Sequence, residues 1–574
     1  MRCVLYFLAL AADYDGTIAH DGFVGAETCD ALRRLKDTTR RLILVTGRQL
    51  PDLKRLFPEI AIFDRVVAEN GALIYDPSAQ QERLIAPPPS TVLVRRLREM
   101  KVEPISVGRA IVSTWEPHQA TVLNVIREFG LELQIVFNKG AVMILPPGVN
   151  KATGLLAALS DLDVSAHNVV AVGDAENDHA FLSACGCAAA VANALPAVKA
   201  EADIELVGNH GAGVVELIEQ LIHEDTNIAQ KARHGIRVGV DRTGNDVYLE
   251  PYRGSVLIAG PAGSGKSALA TALTERMAEK RFQFCVIDPE GDYVDLQHTI
   301  GIGSVKKPPS VTEALNLLRK VAVNVVINTQ ALTMGERREL FSGLVLQTCQ
   351  LRARTGRPHW LVIDEAHQVL PVVHEGSSHI SNGDIPTAIF VTVLPHVLTV
   401  GALTTVDVVL VCGDAPKESL AAFGESIGMK VPTSLPMLAA GEILYWAPSS
   451  ERPPMPIKFD PPLQSHKRHG GKYAVGDVGP DRSFYFRGPH KTLNMSANNL
   501  YKFVDIAFGI DDETWEHHLY AGDYSAWFRH VIKDEDLACE AAKVEADRTL
   551  DPHESRGLIK KAVWRRYAAP CGAC

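Results

Sequence analysis

Short runs of β-branched and apolar residues recur along the chain: "RLILVTG" at 41–47, "HNVVAVGD" at 167–174, "SVLIAG" at 255–260, "FQFCVID" at 282–288, "NVVINT" at 324–329, "HWLVIDE" at 359–365, "TAIFVTV" at 387–393 and "VDVVLVCGD" at 406–414. Between them lie segments with helical spacing of apolar residues, such as "AETCDALRRLKDTT" (26–39) and "KSALATALTERMAEKR" (266–281). Apolar runs of strand length alternating with amphipathic stretches predict βα units and parallel sheets buried on both faces. Two such α/β blocks are expected. The first ends near residue 222, before the polar connector "HEDTNIAQKARHG", and the second near residue 460, in the proline-rich and basic "APSSERPPMPIKFDPPLQSHKRHGGK". Beyond it, "NLYKFVDIAFGI", "TWEHHLYAGDYSAWFRHVI" and "DEDLACEAAKVEADRT" read as helices with aromatics on one face. The expected division is 1–222, 223–460 and a mostly helical 461–574.

The amino-terminal "MRCVLYFLALAA" has a signal-like charge and apolar core, but it runs straight into an acidic cluster and is expected to be a strand. No apolar run approaches the roughly 18–20 residues that would span a bilayer, so no membrane partner is expected. A length of 574 residues exceeds what one core can organise, and 46% hydrophobic with 22% charged residues is ordinary for folded globular domains. The ten cysteines are scattered, several inside apolar runs, which suits a reducing, cytoplasmic setting. Only Cys571 and Cys574, in "CGAC", have metal-like spacing, and no second pair accompanies them. A net charge of −10 does not support nucleic acid as a general partner, although a local basic groove is compatible with it.

"LAADYDGTIAHDG" ends an apolar run with Asp13 and Asp15, placing two carboxylates on the same side at a strand's carboxyl end, where open α/β sheets bind ligands. "VTGR" adds Thr46, a hydroxyl able to hold a phosphoryl oxygen. Lys151 opens a helix in "PPGVNKATGL", and "VVAVGDAENDHAF" supplies Asp174, Asn177 and Asp178, the aspartates being oxygen ligands of the kind Mg2+ prefers. In these elements residues 1–222 resemble the haloacid dehalogenase-like phosphatases of the Cof-type branch. The resemblance implies a Rossmann-like core with an α/β cap inserted at about 83–148, a small phosphorylated substrate, and Asp13 as a nucleophile forming an aspartyl-phosphate. It further implies Asp15 as acid and then base, Thr46 and Lys151 as stabilisers of the phosphoryl oxygens, and Mg2+ held by Asp13, the Asp15 carbonyl and Asp174, with Asp178 and Asn177 positioning that shell.

"GPAGSGKS", between an apolar run and a helical one, fits the phosphate-binding loop G-x-x-x-x-G-K-[ST]. Gly260, Gly263, Ser264 and Gly265 would let backbone amides wrap the phosphates of ATP, Lys266 would reach the terminal phosphates, and Ser267 would ligate Mg2+. "HWLVIDEAHQVL" supplies Asp364 for the Mg2+ shell and Glu365 to polarise an attacking water. "FCVIDPEGDY" (284–293) extends the pattern to a resemblance, over roughly 235–445, to HerA/FtsK-type ATPases, which implies a P-loop parallel sheet and a homo-oligomeric ring. Thr392 is a candidate γ-phosphate sensor, and Arg337, Arg338, Arg352 or Arg354 are candidate arginine fingers for a neighbouring subunit. In the third block a metal on His517, His518 and His530 is disfavoured, because adjacent histidines on a helix point about 100° apart, and its aromatics, Trp515 and Trp527 among them, are expected in a core. Three readings stay open: a phosphatase fused to an ATPase, a polynucleotide end-processing phosphatase and kinase with Asp288 as base, and a nucleotide-sensing regulatory or scaffold protein.

Overall fold

The strand Ala9–Asp13 is buried along its whole length and accepts parallel partners on both edges, Val169–Gly173 and Arg41–Val45. Cys187–Ala190 and Ile204–Glu205 extend one side and Arg65–Ala68 the other, all parallel, and antiparallel Leu73–Asp76 and Gln81–Leu84 close the sheet. Parallel strands with helices on both faces must be apolar throughout, which is why these runs do not alternate. The consequence is positional: Asp13, Thr46 and Asp174 leave three adjacent strands at the same, carboxyl, edge. The computed structural model on which this description rests covers residues 5–567 apart from 139, 230–232, 253, 372–384, 414–415, 433, 451, 464–481, 492 and 533. Cys571 and Cys574 lie outside the described residues.

A second, antiparallel sheet of Gln134–Asn138, Ala141–Leu145, Val112–Trp115 and Ser106–Val107, with helices Thr91–Glu99 and Gln119–Glu128, forms the cap. Leu93, Leu97, Val122, Val125 and Ile144 make its own small core.

The third sheet has eleven strands. Ser255–Ala259 sits between Val406–Val411 and Ala388–Thr392, and Trp360–Ile363, Phe284–Asp288, Asn324–Asn328 and Thr299–Ile302 continue the parallel order. Four antiparallel strands, Glu442–Trp446, Met455–Phe459, Ile236–Asp241 and Asp246–Leu249, complete the other side. The carboxy-terminal region is helical around a two-stranded ribbon, Phe484–Phe486 with Met495–Ala497. Its aromatics are core: Trp515 stacks on Tyr524 at 4.4 Å and donates from Nε1 to Ser555 Oγ at 2.9 Å.

The two large sheets meet at the amino ends of their strands. Ser165 N donates to Thr355 O at 3.0 Å, Arg357 pairs with Asp163, and the His167 ring stacks on Phe282 at 3.8 Å. Three imidazoles knit this junction. His359 Nδ1 accepts from Gln283 N at 2.9 Å, so its Nε2 carries the proton and donates to Ser165 Oγ at 2.9 Å. His167 Nε2 faces Lys280 O at 2.9 Å and His234 Nε2 faces Cys185 O at 2.8 Å, and a carbonyl only accepts, so both are donors.

Burial, then the neighbouring His234, pushes His167 down to about 3; burial, then the His167 ring and the cations Arg352 and Arg357, hold His359 well below the usual range. Burial also lowers His234, against Arg233 and Lys280 on one side and Asp203 on the other. The folded junction thus keeps these rings neutral, while the unfolded chain takes up protons near pH 6.5. Stability therefore falls as pH drops below 6.5, by up to about 1.4 kcal/mol per pH unit for each ring. Removing one ring by His167→Gln is expected to shrink the loss between pH 6.5 and 5.5 by about 1 kcal/mol. Thermal melts of both proteins across that range check it, and equal acid losses would contradict it.

Candidate functional site

At the carboxyl edge of the first sheet, Asp13, Asp174 and Asp178 converge with oxygens within 4.8 Å of one another, all buried. Lys151 lies between them, its Nζ donating to Asp13 Oδ1 at 2.6 Å and Asp178 Oδ1 at 2.5 Å. The lysine is placed by its helix start: Asn150 caps Lys151–Leu162 with its side chain, and Gly154 packs so tightly on Gly71 that a Cβ would lie 2.5 Å from the Gly71 Cα. Asp178 Oδ2 accepts from Asp174 N at 2.8 Å and Ala175 N at 2.9 Å, and Thr17 Oγ1 donates to Asp174 Oδ1 at 3.2 Å. Burial, then the Asp178 charge, pushes Asp13 up to about 8. Burial opposes the charge on Lys151, but the two carboxylates outweigh it and raise its pKa.

Three carboxylates with one ammonium leave an excess of negative charge, and the donor set is all oxygen, so the cluster fits a hard divalent cation. Asn177 Oδ1, buried without a partner, adds an orphaned acceptor beside it. Asp13, Asp15, Lys151 and Asn177 line a cavity of about 820 Å³ whose roof is cap: Ser113, Trp115, Asn138 and Met143. Thr46 is fully buried and is not among the residues that line this cavity.

In the other large sheet, Gly260, Gly263 and Gly265 adopt φ of +146°, +76° and +94°, and a Cβ on Gly260 would lie 2.2 Å from Cys412 O. The loop is therefore closed to other residues there. It leads into helix Lys266–Glu279; Lys266 Nζ donates to Pro261 O at 2.8 Å across the loop, and Ser264 Oγ is buried with no partner. These features fit a nucleotide's phosphates, with Ser267 half-buried in the first turn. Asp364 and Glu365 end the strand Trp360–Ile363, one strand removed from the loop's own, about 10 Å at 4.8 Å per strand. Burial, then Glu365 and Asp288, raises the Asp364 pKa well above the usual carboxylate range. Glu365 takes a left-handed backbone (φ +45°), and His367 Nδ1 stands 3.3 Å from its Oε2 and 3.2 Å from Thr392 Oγ1.

The haloacid dehalogenase-like hydrolase family model matches residues 10–104 and 118–218, the sheet and cavity just described. Residues 10–218 are a haloacid dehalogenase-like hydrolase domain. The model for the central domain of helicase HerA matches residues 236–351, which carry the glycine loop. Among relatives of the hydrolase domain, the phosphoglycolate phosphatase of Methanothermobacter thermautotrophicus is 29% identical over 226 residues, covering 37% of this chain and 98% of that protein. Phosphoglycolate phosphatase 2 of Saccharolobus solfataricus is 29% identical over 223 residues, 38% of this chain and 92% of its own length. A solved haloacid dehalogenase-like hydrolase from Bacteroides thetaiotaomicron aligns with a TM-score of 0.34 and 19% identity, over 38% of this chain and 99% of that one.

In the hydrolase domain the structure adds residues that spacing does not single out. Arg48, within the "VTGR" run, grips Asp15 with Nε at 2.7 Å and Nη2 at 2.6 Å, while its backbone N–H donates to Thr46 Oγ1 at 3.1 Å. Asp15 thus faces the cavity through an arginine pair, and its side chain is apart from the carboxylate cluster formed by Asp13, Asp174 and Asp178. Glu69, fully buried with φ +52°, accepts from Arg109 N at 2.8 Å, Ala110 N at 2.8 Å and Ile111 N at 3.2 Å, and so ties the cap to the core.

In the HerA-like domain several candidate roles move. Asp288 accepts from the backbone N–H groups of Glu290, Gly291, Asp292 and Tyr293 at 2.7–3.2 Å, so its carboxylate shapes the "DPEGDY" turn instead of standing free as a base. Arg337 Nε binds Thr329 O and Leu332 O at 3.2 Å, and Arg338 Nε binds Gln368 O at 3.2 Å. Both arginines are therefore engaged within their own subunit. Arg352 is buried at the junction with the hydrolase domain, away from any surface a finger would need, and only Arg354 is exposed. In the carboxy-terminal region His518 has both ring nitrogens taken, by Asp523 at 2.7 Å and Arg487 N at 3.1 Å, which leaves none for a metal.

Glu69→Ala would leave the buried Ala110 and Ile111 N–H groups and the partly buried Arg109 N–H without their acceptor, a loss of about 2–4 kcal/mol in cap docking. Faster amide hydrogen exchange at residues 109–111, with unchanged protection in the strand Ala9–Asp13, is the expected reading.

Proposed function

We propose that the chain is a two-activity hydrolase: a Mg2+-dependent phosphatase acting on a small acid phosphate of the phosphoglycolate kind, joined to an ATP-hydrolysing HerA-like domain. The observation that carries the first half is the Lys151 ammonium between Asp13 and Asp178 at the floor of a capped cavity. With Oδ1 held by Lys151, Asp13 Oδ2 attacks phosphorus in line; the P–O ester bond breaks and the leaving oxygen takes a proton from Asp15. Asp15 then removes a proton from water, whose oxygen attacks phosphorus, regenerating Asp13 and releasing phosphate. Lys151 and Thr46 draw charge from the phosphoryl oxygens as they become more negative. Asp13, the Asp15 carbonyl and Asp174, with Asp178 and Asn177 behind them, would hold Mg2+, which would supply the charge that lets a carboxylate approach a phosphate dianion. The cap excludes bulk water and limits the leaving group to what about 820 Å³ admits. The relatives' substrate, phosphoglycolate, supports a small carboxylate-bearing ester here.

For the second half, the backbone amides of Gly260–Gly265 cradle the phosphates of ATP, Lys266 leaves Pro261 O for the terminal phosphates, and Ser267 with Asp364 orders the Mg2+ shell. Glu365, whose Oε2 has no hydrogen-bond partner among the described residues and stands 3.3 Å from His367 Nδ1, orients the attacking water. The engagement of Asp288 by its own turn counts against a kinase that would need it as base. A nucleotide-sensing protein without turnover is the reading that a failed ATPase assay would leave.

Asp13→Asn is expected to lower phosphoglycolate hydrolysis by at least about 10³-fold and leave ATP hydrolysis intact. Glu365→Gln is expected to lower ATP hydrolysis by about 10²-fold or more while nucleotide binding and phosphoglycolate hydrolysis persist. Phosphate-release assays with each substrate, with and without Mg2+, test both. Retention of phosphatase activity in Asp13→Asn would refute the mechanism.

A further inference from the structure

Between the hydrolase and HerA-like domains lies a second cavity, of about 690 Å³, at the amino ends of the strands and so on the far side from both catalytic edges. Leu5, Tyr6, Asn168 and Asp225 line it from one domain; Tyr252, Arg352, Thr387 and Asp407 line it from the other. Its charges are unevenly satisfied. Asp225 accepts from Tyr6 N at 2.7 Å, Phe7 N at 3.2 Å and Arg40 Nη2 at 3.0 Å, and Asp407 accepts from Gly254 N at 2.7 Å. Arg352, nine-tenths buried, donates from Nη2 to the neutral Thr387 Oγ1 at 3.2 Å; among the described residues its Nη1 has no acceptor and no carboxylate lies within ion-pair distance of it. A buried guanidinium without an anion is an arrangement that proteins seldom keep without using it.

We propose that this interdomain cavity binds a small organic anion of nucleoside-monophosphate size, its phosphate or carboxylate on Arg352 and its flat body against Tyr6 and Tyr252. The volume is far more than an inorganic oxyanion fills and is typical of sites for small organic molecules. Tyr6 and Tyr252, with ring centroids 5.9 Å apart at 71°, supply an apolar wall on the side facing the hydrolase core. Guanidinium and aromatic faces together favour a planar anion over a polyol phosphate. The site also touches both engines. Asn168 leads directly into Val169–Gly173, which ends at Asp174, and Arg352 lies in the last turn of the helix Met334–Thr355, just before the strand that ends at Asp364.

The test uses the full chain carrying Asp13→Asn and Lys266→Ala, which stops turnover at the other two anion sites, titrated calorimetrically with AMP, phosphoglycolate and inorganic phosphate; only affinity that Arg352→Met and Tyr252→Ala remove is assigned to this cavity. One saturable AMP site is expected, weakened at least tenfold by Arg352→Met and by Tyr252→Ala. Preferential binding of phosphoglycolate, which has no flat body to lay on Tyr6 and Tyr252, would overturn the proposal. Binding of none of the three probes, equal affinity for inorganic phosphate, or AMP affinity unaltered in the variants would overturn the proposal. If Arg352→Met does not fold, Tyr252→Ala alone decides, since it leaves the buried cation in place.

Discussion

One buried ammonium organises the hydrolase domain. Without Lys151, the carboxylates of Asp13, Asp174 and Asp178 would be gathered in a low-dielectric site with no internal cation, and their repulsion would spread the strand ends apart. With it, two of them are fixed by charge-assisted hydrogen bonds and the third by Thr17. The helix that carries Lys151 can approach only because Gly71 and Gly154 meet without side chains. Packing, electrostatics and the placement of the Asp13 carboxylate are therefore one constraint.

The second constraint is that the two domains are joined back to back. The residues at their contact, His167 and Asn168 on one side and Gln283 and His359 on the other, each stand just ahead of a strand whose far end bears an acidic site residue. The capped cavity and the glycine loop lie at strand edges that both face away from this contact, so they do not share a cavity. Any influence of one on the other has to travel along the strands from the imidazole-lined junction, which is where neutral, tightly hydrogen-bonded rings give a stiff connection.

How legible this was in the sequence differs from element to element. The glycine loop, the "DYDGT" turn and the "GDAEND" turn are local: spacing within a dozen residues places the side chains on one edge, and the strands flanking them announce themselves by unbroken apolar runs. Lys151 was legible only through its resemblance to a family pattern, because its partners are 138 and 27 residues away. Glu69 and the histidine junction were not legible at all. An acid in "AENGA" and scattered imidazoles look like surface residues until the fold turns three amides toward the one and a second domain toward the others. Asp288 misleads for a related reason, since a carboxylate after a strand reads as catalytic unless the next turn folds its amides back onto it.

Both catalytic edges share one electrostatic design. In the hydrolase domain three aspartates face one lysine, and in the HerA-like domain burial, Glu365, Asp288 and Asp292 all raise the Asp364 pKa. Each site thus holds more anionic groups than its own cations balance, at a fold-dictated strand edge where backbone dipoles add little negative potential. Such a surplus is destabilising in an isolated chain, and on the proposed function a divalent cation would offset it by bringing the charge each site lacks. On that reading a divalent cation would bind before or with the phosphate, because the carboxylates at each edge repel an unaccompanied polyanion.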